Sequence, residues 1–464
     1  MFNKLKTALQ SYYVVPCVFL FAFACWAAGL NSACICVLAL LVSVILAVCD
    51  DVKNIFCPVL FAGFCVKDIV VEANWALYTV CVCVAVAAFI ACVVKGIIIN
   101  KGKIRTGKLF FPLVALDVAA LLGGIASNFQ ATAFLVTLGL SAAMLLLYFI
   151  AVNFTENLGD YLAFLFVCGA AFTTLQIFVN NVCAWQSIRG IFSIKNWATA
   201  EAPNTTAIFS TLGSAGCLYM VGKRKFGYLA LIPCAIFAFV PVIICCRGVI
   251  ITEFIVLAPA LVITVMRSDC KKQCLVTIFA LILAALVTEM LTGVVTEKIA
   301  DVIYKIKHSG SNGRTGKDGL WAWCWNKFIE NPVFGYGFVC PEGMSVPGIR
   351  PGVENYIHAH NTALQWLVST GIVGIVLSGW FYFTKYKITL ETFKKDVYLP
   401  AYIIIVAASG MVDQAAAMDP FVFLLPIVIV AASEEILRAS RLKQNLPTAG
   451  AIPEKTQPAP ENRT

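Results

Sequence analysis

Charge is what this chain has least of. Asp, Glu, Lys and Arg make up 13% of its 464 residues against 60% hydrophobic residues, with a mean hydropathy of +0.87, whereas soluble domains are about a quarter charged. A soluble globular class is excluded, and a polytopic integral membrane protein remains. Period-two alternation is missing too, so the apolar runs, about 17 to 22 residues long, are membrane helices and not barrel strands. Histidine occurs three times, as His308, His358 and His360, all in one polar segment. The 20 cysteines form no CxxC pair and no Cys/His cluster of zinc spacing, and most fall inside apolar runs, where cysteine is a small hydrophobe. Polar segments on the face read below as external carry no DxD pair, which argues against a magnesium-dependent transferase, and no paired carboxylates of a glycoside hydrolase.

What is present is an all-α pattern of about twelve to fourteen apolar spans in a single transmembrane domain over 1–445. The weakest are Ile55 to Val71, which contains Lys67-Asp68, and the last two runs, separated only around Met418-Asp419-Pro420. Residues 446–464, rich in Pro, Thr and Glu, read as a disordered tail. The first apolar run has no cleavage pattern and reads as a retained span.

Loop charges orient the chain. Placing Lys4 and Lys6 in the cytoplasm puts roughly twenty-one basic residues on the cytoplasmic loops, including those from Lys385 to Lys395, against about three on the opposite short loops. Both termini are then cytoplasmic, and the long segment 293–360 is external. The net charge of +9 follows from this loop bias and calls for no nucleic acid. Of the outer-loop cysteines Cys183, Cys324 and Cys340, at most one pair can form a disulfide. Gly102-Lys103-Ile104-Arg105-Thr106-Gly107-Lys108 has phosphate-loop spacing, but Leu109 replaces the required Ser or Thr and no strand precedes it, so it reads as a basic loop near anionic lipid.

The outer face gathers the chemistry. Arg247 opens a span after Cys245-Cys246; alone it could be a lipid-phosphate anchor, but a guanidinium there can also clamp phosphate in two-pronged fashion. Arg314 lies in the glycine-rich stretch Ser309 to Gly316, followed by Trp321, Trp323 and Trp325 in what the pattern predicts as a short interfacial helix stopped at Asn331-Pro332. His360-Asn361 stands at the mouth of the span that begins at Thr362, where a histidine can act as a base or hydrogen-bond donor.

Taken in order, Pro203-Asn204, Arg247-Gly248, Gly313-Arg314, Trp321, Asn331-Pro332-Val333-Phe334-Gly335-Tyr336-Gly337 and His360-Asn361-Thr362-Ala363-Leu364-Gln365-Trp366 with Gly371 and Gly374 resemble the O-antigen ligase and polymerase family of bacteria. The resemblance implies a metal-independent, inverting membrane glycosyltransferase without cofactor, located in the cytoplasmic membrane. Its donor would be a glycan on undecaprenyl pyrophosphate, and its acceptor a glycan or lipid hydroxyl. It maps the family's two arginines to Arg247 and Arg314 and its histidine to His360, with Asn204, Trp321 and Asn361 beside the substrate. Cys246 departs from the serine expected there. Polymerisation, ligation and transfer to protein are not separated by these motifs. The competing class, a transporter or lipid-linked oligosaccharide flippase, requires a relay of ionisable residues in the spans, for which Asp117, Glu253 and Glu289 are the candidates.

Overall fold

The computed structural model describes residues 2–66, 75–99, 104–126, 143–181, 203–223, 227–307, 319–337, 339–340, 355–356, 359, 361–412 and 420–445. The fold is an all-α bundle. Its helices are α1 (Phe2–Gln10), α2 (Val14–Ala27), α3 (Asn31–Val48), α4 (Phe56–Val66), α5 (Trp75–Ile99) and α6 (Phe110–Ala126). They continue with α7 (Ala143–Asn153), α8 (Leu158–Asn181), α9 (Pro203–Lys223), α10 (Leu231–Ile243), α11 (Arg247–Arg267) and α12 (Lys271–Thr292). Last come α13 (Val294–Lys307), α14 (Leu320–Glu330), α15 (Thr362–Phe393), α16 (Tyr398–Val412) and α17 (Pro420–Asn445). The one sheet among the described residues pairs β1 (Val339–Cys340) with β2 (Asn355–Tyr356), antiparallel, Val339 opposite Tyr356. By length and apolarity five described helices suffice to cross a bilayer, or six if the bent pair α1 and α2 counts as one; α4, α6, α7, α10 and α16 are among the shorter apolar helices.

The centre of the bundle is α9. Every residue from Thr205 to Tyr219 is buried, and the hydroxyls of Ser210, Thr211 and Ser214 donate back to carbonyls four residues earlier, which satisfies them inside an apolar surround. Small residues let α8 approach: a Cβ at Gly213 would fall 2.2 Å from Ala170 Cβ, and one at Gly216 2.6 Å from the Ala163 carbonyl oxygen. Such close contact drives helix association where lipid and side chains are equally apolar. At the rim, α12 buries Cys274 but exposes Leu275, Val276, Phe279 and Met290, the surface expected of a helix facing lipid.

One end of the bundle collects the loops that charge bias assigns to a single face. Asp50 bridges Lys6 and Lys95, the latter at 3.0 Å, while Lys53 pairs with Asp51 at 2.6 Å and donates to the Glu156 carbonyl. Here α17 presents two neighbouring carboxylates. Glu434 accepts from the Lys108 N–H at 3.1 Å and from the Tyr148 hydroxyl, which itself accepts the Leu109 N–H. Glu435 accepts the N–H groups of Asn157 and Leu158 at 2.7 and 3.0 Å. Each satisfies donors at the start of a helix, α6 and α8, that intrahelical bonding leaves free. Where the glycine-lysine stretch reaches α6, the Lys108 N–H is thus taken by a carboxylate, and its ammonium meets Glu391 at 2.8 Å.

The sequence reading placed Lys385 in a basic loop. The structure corrects this: α15 runs on to Phe393, and Lys385 is buried within it. The tail 446–464 lies outside the described residues.

Candidate functional site

The turn between α10 and α11 positions Arg247. The Cys246 N–H donates to the Pro241 carbonyl at 2.9 Å, and Cys245 takes a φ of 54°, a left-handed conformation that side chains other than glycine rarely adopt. This sharp reversal makes Arg247 the first residue of α11, half-buried. A guanidinium at the positive end of a helix dipole is electrostatically unfavourable, and an anion held there reverses the sign. Cys246 Sγ donates to Asn204 Oδ1 at 2.9 Å. The cysteine that replaces the expected serine therefore does a hydroxyl's work, tying the first turn of α9 to the arginine's backbone.

The second half of the site is built on α15, which is not one rod. Gly371 interrupts it at φ 63° and ψ −160°. Along a straight helix Trp366 and Tyr382 would be separated by about 24 Å, yet Trp366 Nε1 donates to the Tyr382 hydroxyl at 3.1 Å. The short limb, residues 362–370, therefore folds back along the long limb, residues 372–393.

The loop after α14 fills the break. Tyr336 and Gly337 donate their N–H groups to Val368 and Ser369 carbonyls at 2.8 and 2.7 Å, and Ile372 and Val373 donate to Pro332 and Val333 carbonyls at 2.9 and 3.2 Å. Backbone groups orphaned by the bend are thereby repaired from a segment over thirty positions away, as apolar surroundings demand. Both sides require glycine: Gly335 has φ 70° and a Cβ there would sit 2.5 Å from the Thr370 nitrogen, and one at Gly371 would sit 2.4 Å from the Val333 oxygen. The motif glycines thus serve a backbone interlock. Gly123 of α6 also abuts it, 2.6 Å from the Ser369 oxygen for an added Cβ.

At the other end of the short limb, Asn361 is the N-cap, its side-chain oxygen accepting the Leu364 N–H at 3.0 Å. Its neighbour Ala359 is buried, donates its N–H to Gln365 Oε1 at 3.0 Å and accepts the Trp321 indole N–H at 2.8 Å. Trp321 is thus a strut between α14 and the helix mouth. Leu320, Cys324, Ala359 and Val368 form a small core of their own beneath it. Cys324 is a free thiol there, its pKa pushed up to about 12 by burial. On the opposite face Trp321, Trp325 and Ile329 are exposed at four-residue spacing, as the interfacial reading requires. The interlocking loop has one charged tether: Glu330 accepts from Lys327 at 2.7 Å and from the Tyr336 hydroxyl at 2.6 Å. Those bonds, Lys327 first, hold the Glu330 carboxyl below its usual range, and Glu330 pushes Tyr336 up to about 12.

Of the residues singled out from sequence, the structure joins Asn204 to the Arg247 turn and Trp321 to the Asn361 mouth. Arg314 and His360, with His308 and His358, lie outside the described residues. Of the three carboxylates a transport relay would need, Glu253 accepts the Thr211 hydroxyl at 2.8 Å and Glu289 takes the Val295 and Thr296 N–H groups at the start of α13. The interlock and the bend of α15 escaped the sequence reading; the pairing of glycines in Asn331-to-Gly337 with Gly371 was their only trace.

A search of curated proteins finds no match to the chain. Residues 209–379, from within α9 to the long limb of α15, match the family model described as O-antigen ligase. Through that segment the chain is similar to the O-antigen ligase family, and its long apolar helices are those of a membrane protein.

Proposed function

We propose that the protein transfers a glycan from undecaprenyl pyrophosphate to an acceptor hydroxyl at the outer face of the bacterial cytoplasmic membrane, as a polymerase or ligase of surface polysaccharide. Both termini face the cytoplasm, and residues 293–360 form the extracytoplasmic catalytic segment. Cleavage of the sugar to pyrophosphate bond builds negative charge on the leaving group, so fixed cations stabilise the transition state beyond the ground state. Arg247 and Arg314 supply that charge without a metal ion. His360 accepts the proton of the attacking hydroxyl or orients it, and attack opposite the leaving group inverts the anomeric centre. Asn204 holds the Arg247 turn through Cys246, and Asn361 and Trp321 set the helix mouth beside position 360.

The observation that supports this reading best is the position of Arg247: a half-buried guanidinium on the first residue of α11, inside the matched segment. The test is transfer from a purified polyprenyl-pyrophosphate glycan in detergent with chelator present. Arg247→Lys and Arg314→Lys keep the charge but lose the planar fork, so each is expected to lower transfer more than about tenfold. Wild-type activity lost on chelation, or full activity in both variants, refutes the mechanism.

A further inference from the structure

At the amino end, α1 meets α2 at a bend of 76°, and the corner between them encloses about 850 Å³, within the range of ligand pockets. One wall is the stripe Asn3, Lys4, Thr7 and Ser11; the other is Val14 and Val18 of α2 with Leu41 of α3. Three- and four-residue spacing puts the stripe on a single helix face. The corner is braced from behind. Buried Asn54 donates its amide to the Leu9 and Ser11 carbonyls at 2.6 and 2.9 Å, Lys6 pairs with Asp50, and the Lys53 ammonium stands 5.6 Å from the Tyr12 ring centroid. The protein thus fixes the shape of the corner by itself.

The chemistry of the two walls selects the occupant. An interfacial helix ordinarily turns hydrocarbon toward the acyl chains, whereas α1 turns polar groups into this corner. Thr7 donates its hydroxyl to the Asn3 carbonyl at 2.9 Å and Ser11 donates to that of Ala8 at 2.7 Å, so toward a ligand both oxygens accept. The donors left on this wall are the Lys4 ammonium and the Asn3 amide. Among the described lining residues Lys4 alone carries charge, and it is exposed. The acids of the neighbouring loop are already matched, Asp50 by Lys6 and Lys95 and Asp51 by Lys53. Beyond the corner the second wall runs on to Leu20 of α2 and Leu40 of α3, both exposed, so it opens onto a hydrocarbon surface. A soluble phosphate would use one wall only. A phosphate carrying hydroxyls on one side and long apolar chains on the other uses both, while a zwitterionic headgroup would bring its own cation beside Lys4.

We propose that the corner between α1 and α2 binds an anionic phospholipid, phosphatidylglycerol by its chemistry. Its phosphate meets Lys4 and Asn3, its headgroup hydroxyls donate to Thr7 Oγ1 and Ser11 Oγ, and an acyl chain runs along Val14, Val18 and Leu41. On the orientation given above the lipid belongs to the cytoplasmic leaflet, whose anionic headgroups attract juxtamembrane lysines. The site stands apart from glycan transfer: it lies outside the matched segment 209–379, at the end of the bundle where Lys6, Lys53 and Lys95 gather.

The test is native mass spectrometry of the full chain in detergent, with phosphatidylglycerol, phosphatidylethanolamine and phosphatidylcholine of identical acyl chains as probes. The wild type is expected to bind one phosphatidylglycerol about fivefold or more tighter than either zwitterionic lipid, the preference that one lysine at a membrane surface supplies. Lys4→Gln is expected to remove that preference, and Lys272→Gln, at an exposed lysine in the first turn of α12, to leave it intact. Ala8→Trp fills the corner without changing its charge, and should weaken phosphatidylglycerol about tenfold at an unaltered Tm. No preference in the wild type overturns the site, as does a preference retained in Lys4→Gln or binding undiminished in Ala8→Trp. Equal loss in Lys272→Gln would show diffuse attraction to the basic loops, and displacement of the lipid by excess glycerol phosphate would assign the corner to a soluble phosphate; either result overturns the proposal.

Discussion

Gly371→Ala is the sharpest probe of the interlock. At φ 63° and ψ −160° the position lies in a region essentially confined to glycine, where a side chain costs about 1 to 3 kcal/mol. The added Cβ would lie 2.4 Å from the oxygen and 2.5 Å from the carbon of Val333. Both are backbone atoms, so no rotamer change relieves the contact and the loop must move. Four backbone hydrogen bonds cross the break, each worth about 1 kcal/mol net. Losing two of them along with the strain removes about 3 to 5 kcal/mol of local stability. At about 1.4 kcal/mol per decade, the Tyr336 and Gly337 amides should exchange with solvent at least about a hundredfold faster. Glycan transfer should fall in step, because the same displacement loosens the short limb that carries Asn361. Hydrogen exchange of the reconstituted protein reads the first effect and a transfer assay the second. Gly159→Ala is the matched control, since its Cβ meets only Leu399 and Ile436 methyls at 3.8 and 4.0 Å. Unchanged amide protection with full activity in Gly371→Ala would refute the interlock as the device that positions the mouth.

Three further outcomes are expected. Glu434→Ala strands the Lys108 N–H and the Tyr148 hydroxyl, lowering stability by about 2 to 4 kcal/mol, visible as a reduced Tm in detergent; an unaltered Tm would count against the clasp. The Glu330 carboxyl is held low by Lys327 and Tyr336, so its contribution is complete above the unfolded value near pH 4.3 and is lost as pH falls through the lower folded value. Protection of the Tyr336 amide should therefore decline in acid below about pH 4, and Glu330→Gln should abolish that pH dependence. His360→Ala should eliminate transfer while sparing donor binding, whereas His358→Ala should be mild; equal effects would remove the special role of position 360.

The parts of the fold legible in the sequence were those governed by local chemistry. Apolar runs such as Leu275 to Thr292 gave helices because lipid permits little else. Asn361 was readable at a helix mouth because Asn is a preferred cap, and α14 was readable because tryptophans precede Asn331-Pro332. The bend of α15 was hidden: Thr362 to Phe393 is continuously compatible with helix, and the bonds that stabilise its break come from Tyr336 and Gly337, distant in the chain. Lys385 was misassigned for a related reason. A lysine after an apolar run is ordinarily where a span ends, and only the packing of the two limbs against α16 and α17 encloses it. The Cys246 to Asn204 bond was likewise invisible, because it joins α9 to α11 through a thiol that sequence treats as filler.

Glu434 and Glu435 have a consequence for biogenesis. The chain is made from its amino end, so α6 and α8 enter the membrane with their first N–H groups unclaimed by protein. Those donors find their carboxylates only when α17, the last described helix, inserts and brings two consecutive glutamates to two separate helices. Final closure of that end of the bundle is therefore deferred until α17 has been made, and an intermediate lacking α17 presents two open helix starts to quality-control proteases. A chain cut before Glu434 should be degraded rather than merely inactive, while one cut just after Asn445 should accumulate normally.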